Sequence, residues 1–211
     1  MGNKLKIYKF VKKPSKVIAV GLNYIDHAKE LNMKIPDEPI IFIKPQTAVI
    51  WNKEKVKYPK MSKQVDYEAE LAIVIGKKCK NISVKNAEKY ILGYTCLNDI
   101  TARDLQRKDG QWTRAKSFDT FCPIGPHIVS GINPDDLKIE CYLNDKLKQS
   151  SSTKNLIFNV KKLVSFISQV MTLEKYDVIS TGTPVGVGPV KIGDKIEIKI
   201  EKIGVLTNYV E

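Results

Sequence analysis

No apolar run in this 211-residue chain approaches the ~20 residues of a membrane-spanning helix, so the sequence contains no candidate span. Its four cysteines, Cys79, Cys96, Cys122 and Cys141, form no C-x-x-C pair. Neither a zinc site nor a disulfide framework is therefore expected. Cys96 and Cys141 fall in strand-like runs and read as small buried hydrophobes. Arginine is scarce, at positions 103, 107 and 114 only. The net charge of +12 is thus carried almost wholly by lysines, which are dispersed rather than massed on one helix. With no aromatic RNA-binding signature beside them, they describe a solvated surface, and no nucleic-acid partner is expected. The opening stretch, MGNKLKIYKFVKKPSKVIAVG, scatters charges among its apolar residues and lacks a small-residue cleavage site. It is no signal peptide, and a cytoplasmic protein is the expectation. There is no repeat, linker or low-complexity tract.

A hydrophobic content of 43% is enough for a sizeable core. Short strand patterns dominate: KVIAVG, IIFIKP closed by Pro45, VDYEAELAIVIG, LGYTCLNDIT and DVISTG. Ile196, Ile198 and Ile200 alternate with Glu197, Lys199 and Glu201 as in a half-buried strand. YLNDKLKQ reads as a hairpin around Asn144-Asp145. The clearest helix is NVKKLVSFISQVMTL, with Val160, Leu163, Val164, Ile167 and Met171 on one face. Shorter helices are expected after Asn23 and after Ser83, each a plausible N-cap, and at ARDLQRKDG. Strands without regular βα alternation indicate an α+β fold with a dominant mixed or antiparallel sheet.

Three stretches carry chemistry. In VDYEAELAIVIG, Glu68 and Glu70 are two residues apart and share one face of a strand. That face continues as Ala72 and Val74, so the two carboxylates sit at the rim of a buried surface. Like charges there repel, and a hard divalent cation would relieve both repulsion and burial. On spacing alone, an exposed pair matched by surface lysines fits as well. TCLNDITARDLQ adds Asp99, followed by Arg103 and Gln106 on one side of a putative helix. Asp99 could complete a metal site while Arg103 and Gln106 hold an anion; an N-capping Asp with an ordinary surface Arg is the alternative. In NYIDHAKE, His27 and Glu30 are helical neighbours, an arrangement suited to a general base or to a plain surface histidine. His127 has no carboxylate near it in sequence and reads as structural.

Together, VGLNYIDHAKE, EPIIFIKP, DYEAELAIVIGK, GYTCLNDITARDLQ, WTRAKSFDTFCPIGP and STGTPVGVGPVKIGD resemble, in order and spacing, the fumarylacetoacetate hydrolase superfamily. The likeness is to its short single-domain members, the acylpyruvases and 2-hydroxyhepta-2,4-diene-1,7-dioate isomerases. It covers residue 16 to the end, which makes 16–211 one catalytic domain and 1–15 a short extension or edge strand. The resemblance implies a β-rich roll of mixed sheets with a few short helices, and a homodimer. It implies that Glu68, Glu70 and Asp99 bind Mg²⁺ or Mn²⁺ (with Ca²⁺ as a stand-in), and that His27 and Glu30 form a dyad on a segment that orders over the ligand. It places Lys116 in catalysis and Arg103, Gln106, Lys44 and Thr183 around the substrate.

The implied substrate is a small 2-oxo acid, which offers a hard metal two oxygens and forms a pyruvate enolate. Hydrolysis of a C–C bond in acylpyruvates comes first among the implied reactions. Oxaloacetate decarboxylation or tautomerisation, and dienoate isomerisation, are the alternatives; a non-catalytic basic binding protein is the remote one. Leu22 stands where some animal acylpyruvases carry Arg, and the insert around RKDGQW is shorter than theirs, so the substrate need not be theirs. TPVGVGP lacks the G-K-[ST] ending of a phosphate loop and is expected to supply tight turns near the substrate.

Overall fold

A computed structural model of the chain describes residues 4–30 and 32–211. Residues 1–3 of the expected N-terminal extension, and Leu31 within the expected mobile segment, lie outside the described residues.

The protein is a strand-dominated α+β fold built on one large mixed sheet. Its strand order is Lys6–Tyr8, Cys122–Ser130, Ile91–Asn98, Ala69–Ile75, Val178–Ser180, Val17–Gly21 and Ile40–Lys44, with Val49–Trp51 joined to Cys122–Ser130 off this path. Lys6–Tyr8 is an edge strand. A second sheet runs Lys146–Ser152, Lys138–Leu143, Lys195–Ile200, Gly204–Val210 and Lys55–Val56. A third, small sheet joins Gly188–Pro189, Val65–Tyr67 and Thr101–Ala102. The helices are α1 (Ile25–Glu30), α2 (Arg103–Asp109), α3 (Thr113–Lys116) and α4 (Val160–Val170). Among the described residues, no helix is long and apolar enough to cross a membrane.

Both faces of the large sheet are covered, which is why Ala69–Ile75 is buried at every position and reads as a continuous apolar run. Leu71 and Ile73 face the core shared with α4 and with Ile196, Ile198 and Ile200 of the second sheet. Ala72 and Val74 face a second cluster with Val17, Leu97 and Ile124. The alternating isoleucines therefore do form a half-buried strand. The Asn144-Asp145 hairpin also forms, with both residues at positive φ, the conformation that a tight two-residue turn requires. Asn159 caps α4 by accepting a hydrogen bond from the Lys162 N–H at 3.0 Å.

Three local expectations change. The segment Val84–Tyr90 is a 3₁₀ helix, and the Ser83 side chain does not cap it. Instead the Ser83 carbonyl accepts from the Asn86 N–H at 2.9 Å, closing a tighter i to i+3 turn. Asn23 does not cap α1, because its side chain is drawn into the core by backbone groups near Phe158 and Thr181. The strand expected over residues 65–76 is split. Val65–Tyr67 belongs to the small sheet and Ala69–Ile75 to the large one, with Glu68 at the junction. The Glu68 N–H leaves the ladder and donates to Asn98 Oδ1 at 2.9 Å.

Candidate active site

The register of two neighbouring strands assembles the three carboxylates. Ala69 pairs with Asn98 in the antiparallel ladder, so Glu68 and Asp99 fall opposite one another just beyond it. The Asp99 N–H donates to the Glu68 carbonyl at 2.9 Å, which fixes that meeting. Glu70 lies one strand residue inside. One ligand oxygen from each of Glu68, Glu70 and Asp99 lies within 4.8 Å of the others, and all three side chains are buried.

Cations and donors brace this group from several sides. Lys116 donates to Glu68 Oε2 at 2.8 Å and to Asp99 Oδ2 at 2.6 Å. Arg103, at the start of α2, pairs with Glu68 through Nη2, with Asp66 Oδ2 through Nε at 2.8 Å and with Gln106 Oε1 through Nη1 at 2.6 Å. Glu70 accepts from the Ser180 hydroxyl and from the Gly182 N–H, the latter at 2.7 Å.

The charges are unequal: four carboxylates (Asp66, Glu68, Glu70, Asp99) face three cations (Lys44, Arg103, Lys116). Burial alone would raise Glu68, yet Lys116 and Arg103 hold it at about 2. Glu70 has no ion pair with a cation among the described residues; burial first, then Asp99 and Glu68, push it well above the carboxylate range. Burial lowers Lys116, but Asp99 and Glu68 more than offset this and raise it. Three hard oxygen donors with surplus negative charge fit a divalent cation such as Mg²⁺ or Mn²⁺.

These carboxylates form the floor of a cavity of about 300 Å³, small for a ligand pocket. His27 lines it too. Its Nδ1 lies 2.8 Å from Glu30 Oε2. A carboxylate can only accept, so Nδ1 carries a proton, and in the neutral form of the ring the lone pair is on Nε2. Arg103, Gln106, Lys116 and Thr183 all line the same space. Arg103, Gln106 and Lys116, which the resemblance places around the substrate and in catalysis, here hold the carboxylates and each other. Thr183 Oγ1 accepts from Gln149 Nε2 at 2.9 Å.

Lys44 requires a correction: it does not line the cavity. It is fully buried behind Asp99, pairing with that carboxylate and donating to the Ile100 carbonyl at 3.0 Å. Its strand turns the side chain into the protein, so Lys44 orients Asp99. His127 lies outside this cavity, half-buried beside Gly204.

Several contributors were not singled out from the sequence. Asp66 could have been, since it extends the i, i+2 series of Glu68 and Glu70 and takes the Arg103 Nε. Ser180 and Gln149 carry no sequence signal, because long-range pairing alone brings them here. The opposite wall is apolar, made by Val20, Leu22, Met33, Ile40, Phe42 and Trp112. Phe42 and Trp112 meet edge to face with ring centroids 5.2 Å apart. Beneath the site, the buried Tyr24 hydroxyl has no hydrogen-bond partner among the described residues. Burial first, then Glu70 and Asp26, raise its pKa.

The fold agrees with comparisons to known proteins. Residues 16–211 match the model of the fumarylacetoacetate hydrolase C-terminal domain. An uncharacterised protein of Methanocaldococcus jannaschii is 65% identical over 94% of this chain and 84% of its own length. The mitochondrial oxaloacetate tautomerase Fahd2a of Rattus norvegicus is 43% identical over 95% of this chain and 67% of its own. The structure described as 5-carboxymethyl-2-hydroxymuconate delta-isomerase of Mycobacterium smegmatis superposes with a TM-score of 0.89 at 49% identity, covering 94% of this chain and 79% of that one. The chain belongs to the fumarylacetoacetate hydrolase family.

Proposed function

We propose that the protein is an enzyme that enolises small 2-oxo acids, with keto–enol tautomerisation or double-bond isomerisation as the net reaction. The observation that carries this reading is the convergence of three buried carboxylates on the floor of a cavity that also holds the His27–Glu30 pair. A hard divalent cation bound by Glu68, Glu70 and Asp99 would act as a Lewis acid towards the keto and carboxylate oxygens of the substrate. Glu30 holds the imidazole by Nδ1, which leaves Nε2 to accept a proton from the carbon next to the keto group. The bonding pair released there becomes the C=C bond of the enolate, and the keto oxygen takes the charge. Returning the proton from Nε2 to that oxygen completes a tautomerisation; returning it to a more distant carbon of a conjugated acid completes an isomerisation. Lys116 and Arg103 keep Glu68 ionised and fixed, while the apolar wall excludes water from the enolate.

The relatives named for tautomerase and isomerase activity support placing proton transfer ahead of C–C hydrolysis. Hydrolysis of an acylpyruvate is the second reading, since Nε2 is equally placed to take a proton from water. To separate them, enol-oxaloacetate conversion and acetylpyruvate loss are followed by ultraviolet absorbance with Mg²⁺, with EDTA and with His27→Ala. Loss of oxaloacetate tautomerisation in both controls supports the lead. Acetylpyruvate cleavage alone moves the assignment to hydrolysis, and turnover of neither sinks both.

A further inference from the structure

We propose that Gln149 is a positioning residue for this site: its amide fixes the Thr183 hydroxyl as a hydrogen-bond donor aimed at the anionic oxygens of the ligand. This deepens the 2-oxo acid reading above, on which it rests, and brings a residue of the second sheet into the site.

Gln149 lies on Lys146–Ser152 of the second sheet and is buried. Its Oε1 accepts from the Ala69 N–H at 3.0 Å. Its Nε2 donates to Thr183 Oγ1 at 2.9 Å and to the Pro184 carbonyl at 2.8 Å. These partners allow the amide one orientation. A backbone N–H only donates, so Oε1 faces Ala69; a carbonyl only accepts, so the NH₂ group faces Pro184. The Ala69 N–H points to the same strand edge as the Leu71 carbonyl, which accepts from the Thr181 N–H at 3.0 Å. Beyond Thr181 the chain turns at Gly182, which has a positive φ, and Gln149 takes the place of a strand partner.

The consequence falls on Thr183. Its Oγ1 accepts from Gln149, so its own proton needs an acceptor elsewhere. Among the described residues it has none, and the side chain lines the cavity with Glu68, Glu70 and Asp99. That proton is therefore offered to an anion seated on the carboxylate floor. Its neighbours are already engaged: the Ser180 hydroxyl with Glu70, and Lys116 with Glu68 and Asp99. Without Gln149 the Thr183 hydroxyl turns freely about its C–O bond, and the donating orientation becomes one among several. The same amide reaches from the strand that carries Glu70 to the loop that carries Thr183, so it also sets the spacing between carboxylate floor and donor.

The test is a double-mutant cycle read by titration calorimetry with oxalate at saturating Mg²⁺. Gln149→Met keeps the side-chain length and removes the amide; Thr183→Val keeps the shape and removes the hydroxyl. Thr183→Val should weaken oxalate about tenfold, and Gln149→Met at least about threefold. Thr183→Ser, which keeps the hydroxyl, should bind oxalate as the wild type does. The double variant should bind it no more weakly than Thr183→Val, because Gln149 acts through that hydroxyl. Wild-type binding by Gln149→Met overturns the inference. So do costs that multiply in the double variant, which would make Gln149 a structural strut only. Thermal melts check that each variant is folded. If Gln149→Met does not fold, equal oxalate binding by Thr183→Val and Thr183→Ser still overturns the inference. If the wild type itself does not bind oxalate, the 2-oxo acid reading fails and the inference falls with it.

Discussion

Asn23 and Phe158 exchange two hydrogen bonds across 135 residues of sequence: Asn23 Nδ2 donates to the Phe158 carbonyl at 3.1 Å, and the Phe158 N–H returns one to Oδ1 at 2.8 Å. The same amide donates to the Thr181 carbonyl at 2.7 Å. One buried side chain thus ties the root of α1, which carries His27, to the entry of α4 and to the strand end beside Glu70. Replacing Asn23 by Ala leaves three backbone groups unpaired in the core. Urea unfolding should show a loss of roughly 2–4 kcal/mol. A loss below about 0.5 kcal/mol, typical of a surface change, would mean the tie is dispensable.

Ser180 supports Glu70 from behind. Ser180→Ala removes that hydroxyl and leaves Glu70 with the Gly182 N–H. Mg²⁺ affinity measured by calorimetry should fall about 10–100-fold, as for other groups that orient a ligand, with the fold retained. Unchanged affinity would place Glu70 outside the metal site.

Gly21 lies under Trp112. A Cβ there would come within 2.5 Å of Trp112 Cζ3, the outer edge of an indole on a surface segment. Gly21→Ala should therefore displace the indole rather than unfold the protein. The readouts are Trp fluorescence and KM, which should change together. Wild-type fluorescence and KM would show that Trp112 does not shape the cavity.

These positions also mark the limit of what the sequence discloses. The α4 stripe, the 196–200 alternation and the Asn144-Asp145 turn are legible because each is a local periodicity or a local φ requirement. Glu68, Glu70 and Asp99 are legible as charges in apolar strand patterns, where an unpaired carboxylate needs a reason. The strand break at Glu68 is not, because two different sheets compete for one apolar run. Lys44 looked like a pocket residue from its motif, but strand orientation sends it behind Asp99. Ser180, Gln149 and the Phe42–Trp112 wall are created by non-local pairing, for which no short pattern exists.

Tyr24 offers a contrasting stability test. Its hydroxyl is buried with no hydrogen-bond partner among the described residues, while its ring packs in the main core. Tyr24→Phe keeps the ring and removes the orphaned oxygen, so thermal stability should hold or rise by up to about 1 kcal/mol. A clear loss would reveal a partner for the hydroxyl, such as a bound water.

The central claim is that this cavity takes a proton from the carbon beside a keto group and that His27 Nε2 receives it. Proton NMR of pyruvate in D₂O with Mg²⁺ measures that step directly, as loss of the methyl signal through deuterium exchange. The account predicts exchange well above the buffer rate, abolished by EDTA and reduced about 10²–10⁴-fold in His27→Ala, with Mg²⁺ binding by that variant unchanged. Exchange at the buffer rate in the wild type, or full exchange in His27→Ala, would contradict it.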